Sequence, residues 1–238
     1  MNHTSLPQFA VIVAGGSGVR MGGDVPKQFL PVAGLPVLMH TLRRFHQYSP
    51  SLSIILVLPA KDVPYWSALC RQYDFTLPVR VATGGDTRFQ SVRNGLAAIG
   101  ADEGLVAIHD GVRPLVPLAT IAESFRVAHE KGCAVAAVAL KDSIRSVDAE
   151  GGSQALDRSA FRLVQTPQTF RLSIIRRSFT QPEQPGFTDD ASVAESAGFP
   201  ITLIEGAYAN IKLTTPEDLL WAATHLAQPD THHSPRRE

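Results

Sequence analysis

Residues 10–28 read AVIVAGGSGVRMGGDVPKQ. Ala10–Val13 is an apolar run in which all but one residue is β-branched, the signature of a buried strand. The chain then breaks into Ala14-Gly15-Gly16-Ser17-Gly18, where missing side chains let a phosphate approach the backbone N–H groups. Arg20 follows, and Lys27 closes the stretch behind Pro26, so two cations and the glycine amides can converge on one polyanion. A strand that ends in such a cradle organises an α/β fold, because open α/β sheets hold ligands at the carboxyl ends of their strands.

Two better-known glycine loops fail to fit. For a dinucleotide-binding GxGxxG, Gly16-x-Gly18 begins correctly, but Met21 stands where the third glycine belongs. For a Walker A loop, Gly18 and Gly23 have the spacing, but Asp24 replaces the lysine.

Further along, VLMHTLRRF (37–45) places Leu38, Met39, Leu42 and Phe45 on one face of a helix, with Pro36 at its start. SIILVL (53–58) is a continuous apolar run, followed by a helix that carries Trp66, Leu69 and Cys70. Such runs predict a mostly parallel, Rossmann-like sheet covered by helices on both faces. The strand Val79–Ala82 opens onto TGGDTRFQSV, a second glycine turn leading into a helix with Val92, Leu96 and Ile99. There Asp86 either caps the helix or faces a ligand. Leu105–Ile108 is a third strand, and it ends in HDGVRP. A carboxylate at that tip, Asp110, suits a ribose hydroxyl or Mg²⁺, and Arg113 offers a planar fork to a second phosphate. His109 beside it is the kind of strand-end histidine that packs or bonds locally.

A helix over about 117–131 and the buried strand AVAAVAL (134–140) restore the rhythm, which then stops. Residues 141–164 alternate polar and apolar positions around Gly151-Gly152, which reads as a β-hairpin arm. An arm of that kind cannot bury its faces alone, so it either folds back on its own domain or meets another subunit. Pro167 in TPQTF reads as a turn after the arm, and Thr188 or Asp189 as the N-cap of the next helix. Asp189 and Asp190 fit the acidic first turn that a helix macrodipole favours better than a metal pair. Lys212 leaves a short strand just before the final helix begins at Thr215-Pro216.

Composition narrows the class. The 238 residues suffice for one substantial core and predict a single domain. Lysine plus arginine equals aspartate plus glutamate at 22 each, so no bulk field draws the chain to nucleic acid and any anion site is local. Cys70 and Cys133 are too few and too far apart for a disulfide framework or a metal knuckle. No apolar run reaches the roughly 18 residues of a membrane span, and the first residues lack a signal-peptide pattern, so a soluble cytoplasmic protein is expected. Residues 228–238, with His232 and His233, read as a frayed polar tail.

AGGSGVRMGGDVPKQFL, HDGVRP and NIKLTTPEDL together resemble the 2-C-methyl-D-erythritol 4-phosphate cytidylyltransferase family, in the family's order and from about residue 9 to 225. The resemblance implies a nucleotide-diphospho-sugar transferase type of fold, a homodimer joined through the arm, and Mg²⁺ bridging the triphosphate. It implies Ala14, Gly15, Gly16, Gly18, Gly85, Asp86 and Ser91 around the nucleotide, with Arg20 and Lys27 stabilising the α-phosphate. It also implies Asp110 at ribose or metal, and Arg113, Ser143, Arg158, Thr166, Thr188 and Lys212 at the methylerythritol phosphate, where Arg158 and Lys212 align the attack. Ser143 and Arg158 would come from the neighbouring subunit's arm. Gly15, Ser143 and Val112 depart from the commonest residues of that family, and two of these departures also occur in ribitol-5-phosphate cytidylyltransferases. A second acceptor therefore stays open, as does a nucleotide-binding module without turnover. A sugar-nucleotide glycosyltransferase would want an Asp-x-Asp where this chain has His109-Asp110-Gly111.

A phosphate-monoester nucleophile is already anionic and needs no general base. This agrees with a chain that offers no convincing Ser/His/Asp or Cys/His arrangement, only cations and amides.

Overall fold

A computed structural model of the chain describes residues 6–15 and 25–227. Gly16, Gly18, Arg20 and the tail 228–238 lie outside the described residues. The β-strands are β1 (Gln8–Val13), β2 (Pro31–Val32), β3 (Leu35–Pro36), β4 (Ser53–Leu58), β5 (Val79–Thr83), β6 (Leu105–Asp110), β7 (Cys133–Ala139), β8 (Ile144–Val147), β9 (Ser153–Leu156), β10 (Arg162–Arg171) and β11 (Leu203–Glu205). The α-helices are α1 (Val37–Tyr48), α2 (Val63–Gln72), α3 (Arg88–Ala97), α4 (Leu118–Lys131), α5 (Leu172–Ser178), α6 (Asp190–Ser196) and α7 (Pro216–Leu226).

Seven strands form one sheet in the order β11-β7-β10-β6-β1-β4-β5. All run parallel except β10, which lies antiparallel between β6 and β7. β1 lies between β6 and β4, with Val11 opposite both Ile55 and Ile108.

Alternation along β1 distributes its side chains to two cores. Ala10 and Ile12 pack with Leu38, Leu42 and Phe45 of α1, Trp66 of α2 and Phe125 of α4. Val11 packs on the other face with Phe89, Val92 and Leu96 of α3 and Ile175 of α5. Helices therefore cover both faces, which is why β4 and β6 read as unbroken apolar runs. α3 lies unusually close to the sheet. A Cβ on Gly95 would fall 2.6 Å from a Val11 methyl and 2.8 Å from a Val57 methyl, so a larger residue there would lift the helix and the glycine turn before it.

Three sequence expectations need correction. Thr166–Phe170 is not a turn but the middle of β10, with a cis Thr166-Pro167 peptide. Pro167 is tolerated because the ladder with β7 breaks there, between Val164 and Gln168, where no N–H is required. Apolar patterning does not mark this strand because most of its buried residues, Gln165, Thr166, Gln168 and Thr169, are polar. Gln165, Thr166, Gln168 and Thr169 are satisfied by side-chain bonds instead, such as Thr169 to Ser124 Oγ at 2.8 Å and Gln165 to the Ala207 carbonyl at 2.9 Å.

Lys212, expected at a strand end, belongs to an irregular segment, which the Leu213 N–H secures by donating to the Val112 carbonyl. The arm is also shorter than expected. β8 and β9 form their own two-stranded sheet, but Arg162–Val164 already pair with β7. Every residue from 141 to 164 except Ile144 is exposed, including Val147, Phe161, Leu163 and Val164.

Candidate active site

The order of strands reverses between β1 and β6, the switch point at which α/β sheets open a crevice. Val13 and Asp110 face each other across that junction. A cavity of about 280 Å³ lies there, lined by Ala14, Gly15 and Lys27 on one side, Gly85, Asp86 and Ser91 on another, and Asp110 and Lys212 at its floor. Val13, Gln28, Thr87, Arg88 and Val112 complete its wall among the described residues.

Local folding places each group. Lys27 opens a single 3-10 turn, Lys27–Phe29. Its neighbour Gln28 is buried and donates to the Ala14 carbonyl at 3.2 Å, while Phe29 packs against Tyr65 and Trp66. Thr87, not Asp86, caps α3 by accepting from the Gln90 N–H, which leaves Asp86 to line the cavity. The Gly85 N–H donates to Ser91 Oγ at 3.1 Å. A Cβ on Gly85 would lie 2.4 Å from that of Gln90, so the turn can be this tight only without one.

Asp110 is where the charges meet. Its Oδ2 accepts from Arg113 Nε at 3.1 Å and lies 3.2 Å from Lys212 Nζ, and its Oδ1 is 3.9 Å from Arg88 Nε. Burial works against an ionised carboxyl here, but Lys212, Arg88 and Arg113 outweigh it and hold Asp110 well below the usual carboxylate range.

Arg88 in turn is clamped by Asp190 at the start of α6, through Nη1–Oδ1 at 2.8 Å and Nη2–Oδ2 at 2.7 Å. Burial alone would lower the guanidinium's pKa, yet Asp190 and then Asp110 raise it, so it stays a cation. Burial pushes the Asp190 carboxyl up, against Arg88, which pulls it down. These tendencies oppose. The two-point geometry decides for an ionised pair, because a protonated oxygen would turn a donor towards a donor.

Behind the floor, the Asp110 N–H donates to Thr166 Oγ1 at 3.1 Å. His109 Nε2–H donates to the Arg113 carbonyl at 3.2 Å, and in a neutral ring Nδ1 then accepts from the Thr166 hydroxyl at 3.0 Å. Burial favours that neutral ring, lowering His109 to a pKa of about 4. An unfolded histidine titrates near 6.5, so between those values the unfolded chain binds the extra proton. Stability should be full above about pH 6.5 and fall as pH drops towards 4, by roughly 3 kcal/mol from this residue. Melting curves between about pH 7 and pH 5 test this: the wild-type Tm should slope downwards and that of His109→Asn should be flatter, and equal slopes would refute it.

The fold brings together Ala14, Gly15, Lys27, Gly85, Asp86, Ser91, Asp110 and Lys212, with Arg113 bonded to Asp110. It does not bring Ser143, Arg158 or Thr188 to this cavity. Ser143 and Arg158 are exposed on the arm, where Arg158 donates to the Lys141 carbonyl. Thr188 is exposed just before α6, and Asp189 is that helix's N-cap, in a capping box with Ser192. Thr166 is buried, and its hydroxyl already serves Asp110 and His109. Sequence reasoning missed Arg88 and the true partner of Asp190. One signal existed: an arginine in the first turn of a helix opposes the macrodipole, so something else must hold it there.

An open α/β sheet whose switch-point cavity is lined by glycines, cations and a buried carboxylate defines a nucleotide-binding group-transfer enzyme, a nucleotidyltransferase. Residues 8–228 match the family described as "IspD: 2-C-methyl-D-erythritol 4-phosphate cytidylyltransferase", and the chain belongs to that family. A Porphyromonas gingivalis protein named 2-C-methyl-D-erythritol 4-phosphate cytidylyltransferase is 53% identical over 213 residues, 89% of this chain and 94% of that protein. One of the same name from Bacteroides thetaiotaomicron is 47% identical over 214 residues, 90% of this chain and 97% of that protein. The crystal structure of 4-diphosphocytidyl-2C-methyl-D-erythritol synthase from Anaerococcus prevotii superimposes with a TM-score of 0.79 at 26% identity, covering 94% of this chain and 99% of that one.

Proposed function

We propose that this chain transfers the cytidylyl group of CTP to 2-C-methyl-D-erythritol 4-phosphate, releasing pyrophosphate and supplying isoprenoid precursor synthesis. A phosphate oxygen of the acceptor attacks the α-phosphorus, a new P–O bond forms, and the bond to the β-phosphate oxygen breaks as pyrophosphate departs. The observation that carries this reading is one cavity at the switch point lined by Lys27, by Gly15 and Gly85, and by Asp110 with its partner Lys212. Such an array stabilises charge spread over transferring phosphate oxygens and requires no proton-abstracting residue.

Arg20 and Lys27 act on the α-phosphate in this reading, Ala14, Gly15, Gly16 and Gly18 line the nucleotide, and Gly85, Asp86 and Ser91 read the cytosine. Arg113, Thr166, Thr188 and Lys212 hold the acceptor, with Lys212 aligning its phosphate. Ser143 and Arg158 arrive from a second copy, in a homodimer built on the arm. The exposed apolar side chains at Val147, Phe161, Leu163 and Val164 give that interface its driving force.

The residues suit Mg²⁺. No cluster of three or more acidic, histidine or cysteine side chains occurs among the described residues, but Asp110 lines the cavity and its nearest cation at Oδ1, Arg88 Nε, stays 3.9 Å away. Mg²⁺ commonly needs only one or two carboxylates plus substrate phosphates. When bound, it would supply charge neutralisation at the triphosphate.

We read the chain as one catalytic domain working in the cytoplasm. Among the described residues no helix is long and apolar enough to cross a membrane.

The test is to incubate the purified protein with CTP, Mg²⁺ and either methylerythritol 4-phosphate or ribitol 5-phosphate, following pyrophosphate. Faster release with the first acceptor supports this reading, and faster release with the second reassigns the substrate. CTP binding without release from either acceptor would make the chain a nucleotide-binding module.

A further inference from the structure

Arg88 stands between two carboxylates and is shared unequally. Asp190 takes both Nη groups at 2.7–2.8 Å, while Asp110 Oδ1 waits 3.9 Å from Nε, too far for a hydrogen bond. The two acids differ in setting. The Asp190 side chain has no exposure and does not line the cavity, whereas Asp110 floors it. The Arg88 side chain keeps about a third of its exposure and itself lines the wall, so it has room to move. Asp110 also holds Lys212 and Arg113 on its other oxygen.

Without Asp190, the free fork of Arg88 would meet Asp110 a short distance away. A guanidinium binds a carboxylate through two parallel bonds, and a lysine ammonium cannot match that geometry. Arg88 would then capture Asp110 and displace Lys212.

We propose that Asp190 is a positioning residue: by clamping Arg88 at two points it keeps that cation off Asp110, so that Asp110 stays engaged with Lys212 and Arg113. The role is exerted wholly through Arg88. It rests on the reaction proposed above for its kinetic consequences, though not for its geometric ones.

This makes a signed prediction. Removing Asp190 alone should do more harm than removing Asp190 and Arg88 together, because the double variant has no fork left to capture Asp110. Three variants are compared: Asp190→Asn, Arg88→Met and the pair combined. For each, kcat, the KM for each substrate and the Tm are measured, together with the rate at which an amine-reactive ester labels Lys212, read by peptide mass spectrometry. Asp190→Asn should lower kcat at least ten-fold and label Lys212 several-fold faster, and adding Arg88→Met should reverse at least half of each change on a logarithmic scale.

A double variant no better than Asp190→Asn overturns the proposal. So does Arg88→Met matching the double variant while Asp190→Asn stays near wild type, since Arg88 would then serve the substrate directly. Variants that lose Tm but keep kcat per folded molecule also overturn it, because the pair would be structural only. If Asp190→Asn does not fold, Arg88→Lys replaces it: a kcat below that of Arg88→Met supports the proposal, and an equal or higher one refutes it. Because labelling needs no turnover, the predicted labelling pattern in a protein that releases no pyrophosphate would remove the assigned reaction and leave this inference standing.

Discussion

Replacing Lys27 with alanine should lower kcat at least about a hundred-fold while leaving the fold and most of the affinity for CTP in place. The turn that presents Lys27 is secured by its neighbours. Gln28 is buried and bonded to the Ala14 carbonyl, and Phe29 is buried against Tyr65 and Trp66. Losing the ammonium therefore removes a charge from the cavity wall and leaves the main chain where it was. A donor aimed at charge that develops in the transition state contributes about 3 kcal/mol, and about 1.4 kcal/mol corresponds to a factor of ten in rate. The effect should fall on kcat rather than on the KM for CTP, because an interaction that tightens only in the transition state does not hold the ground state. Single-turnover measurements at saturating CTP check this. A raised KM with an unchanged kcat would mean that Lys27 merely binds the nucleotide.

Asp110→Asn should damage stability and activity together. The carboxylate is the only counter-charge within 4 Å of Arg113 and Lys212 that the described residues supply, and its side chain is about nine-tenths buried. Removing one member of a buried ion cluster leaves the others uncompensated, at a cost of about 3–5 kcal/mol. Because folding depresses the Asp110 pKa, its contribution is complete above about pH 4 and is lost as pH falls below the value of an unfolded carboxyl. The full deficit should therefore appear in urea or thermal unfolding at neutral pH, and the gap to wild type should close only in stronger acid. Activity should fall by more than the lost stability explains, since a negative charge lining the cavity is gone as well. A variant that melts with the wild type at neutral pH would show that the three cations do not depend on this carboxylate.

The histidine beside it illustrates how far a sequence can be read. That His109 bonds locally was legible from its place at a strand tip. Its tautomer was not, because this follows from Thr166, 57 residues away, and from the Arg113 carbonyl. β10 was hidden for a related reason. Most of its buried residues are polar, and hydrophobic patterning registers burial only where burial is apolar. Arg88 and Asp190, 102 residues apart, each had an adequate local reading, one as a turn residue and the other as an acidic first turn. Nothing local pairs them.

Residues 10–28, the apolar runs at 53–58 and 105–108, and the glycine turn at 84–85 were enough to indicate a mostly parallel sheet with helices on both faces and a crevice at the carboxyl ends of its strands. Those properties follow from short-range rules: β-branched runs favour buried strands, and glycine admits a backbone approach that any Cβ would block. Which cation faces which carboxylate was decided only when α3, β6, α6 and the segment carrying Lys212 packed at one switch point. Coulomb energy depends on distances in space, and separations of about a hundred residues along the chain place no limit on those.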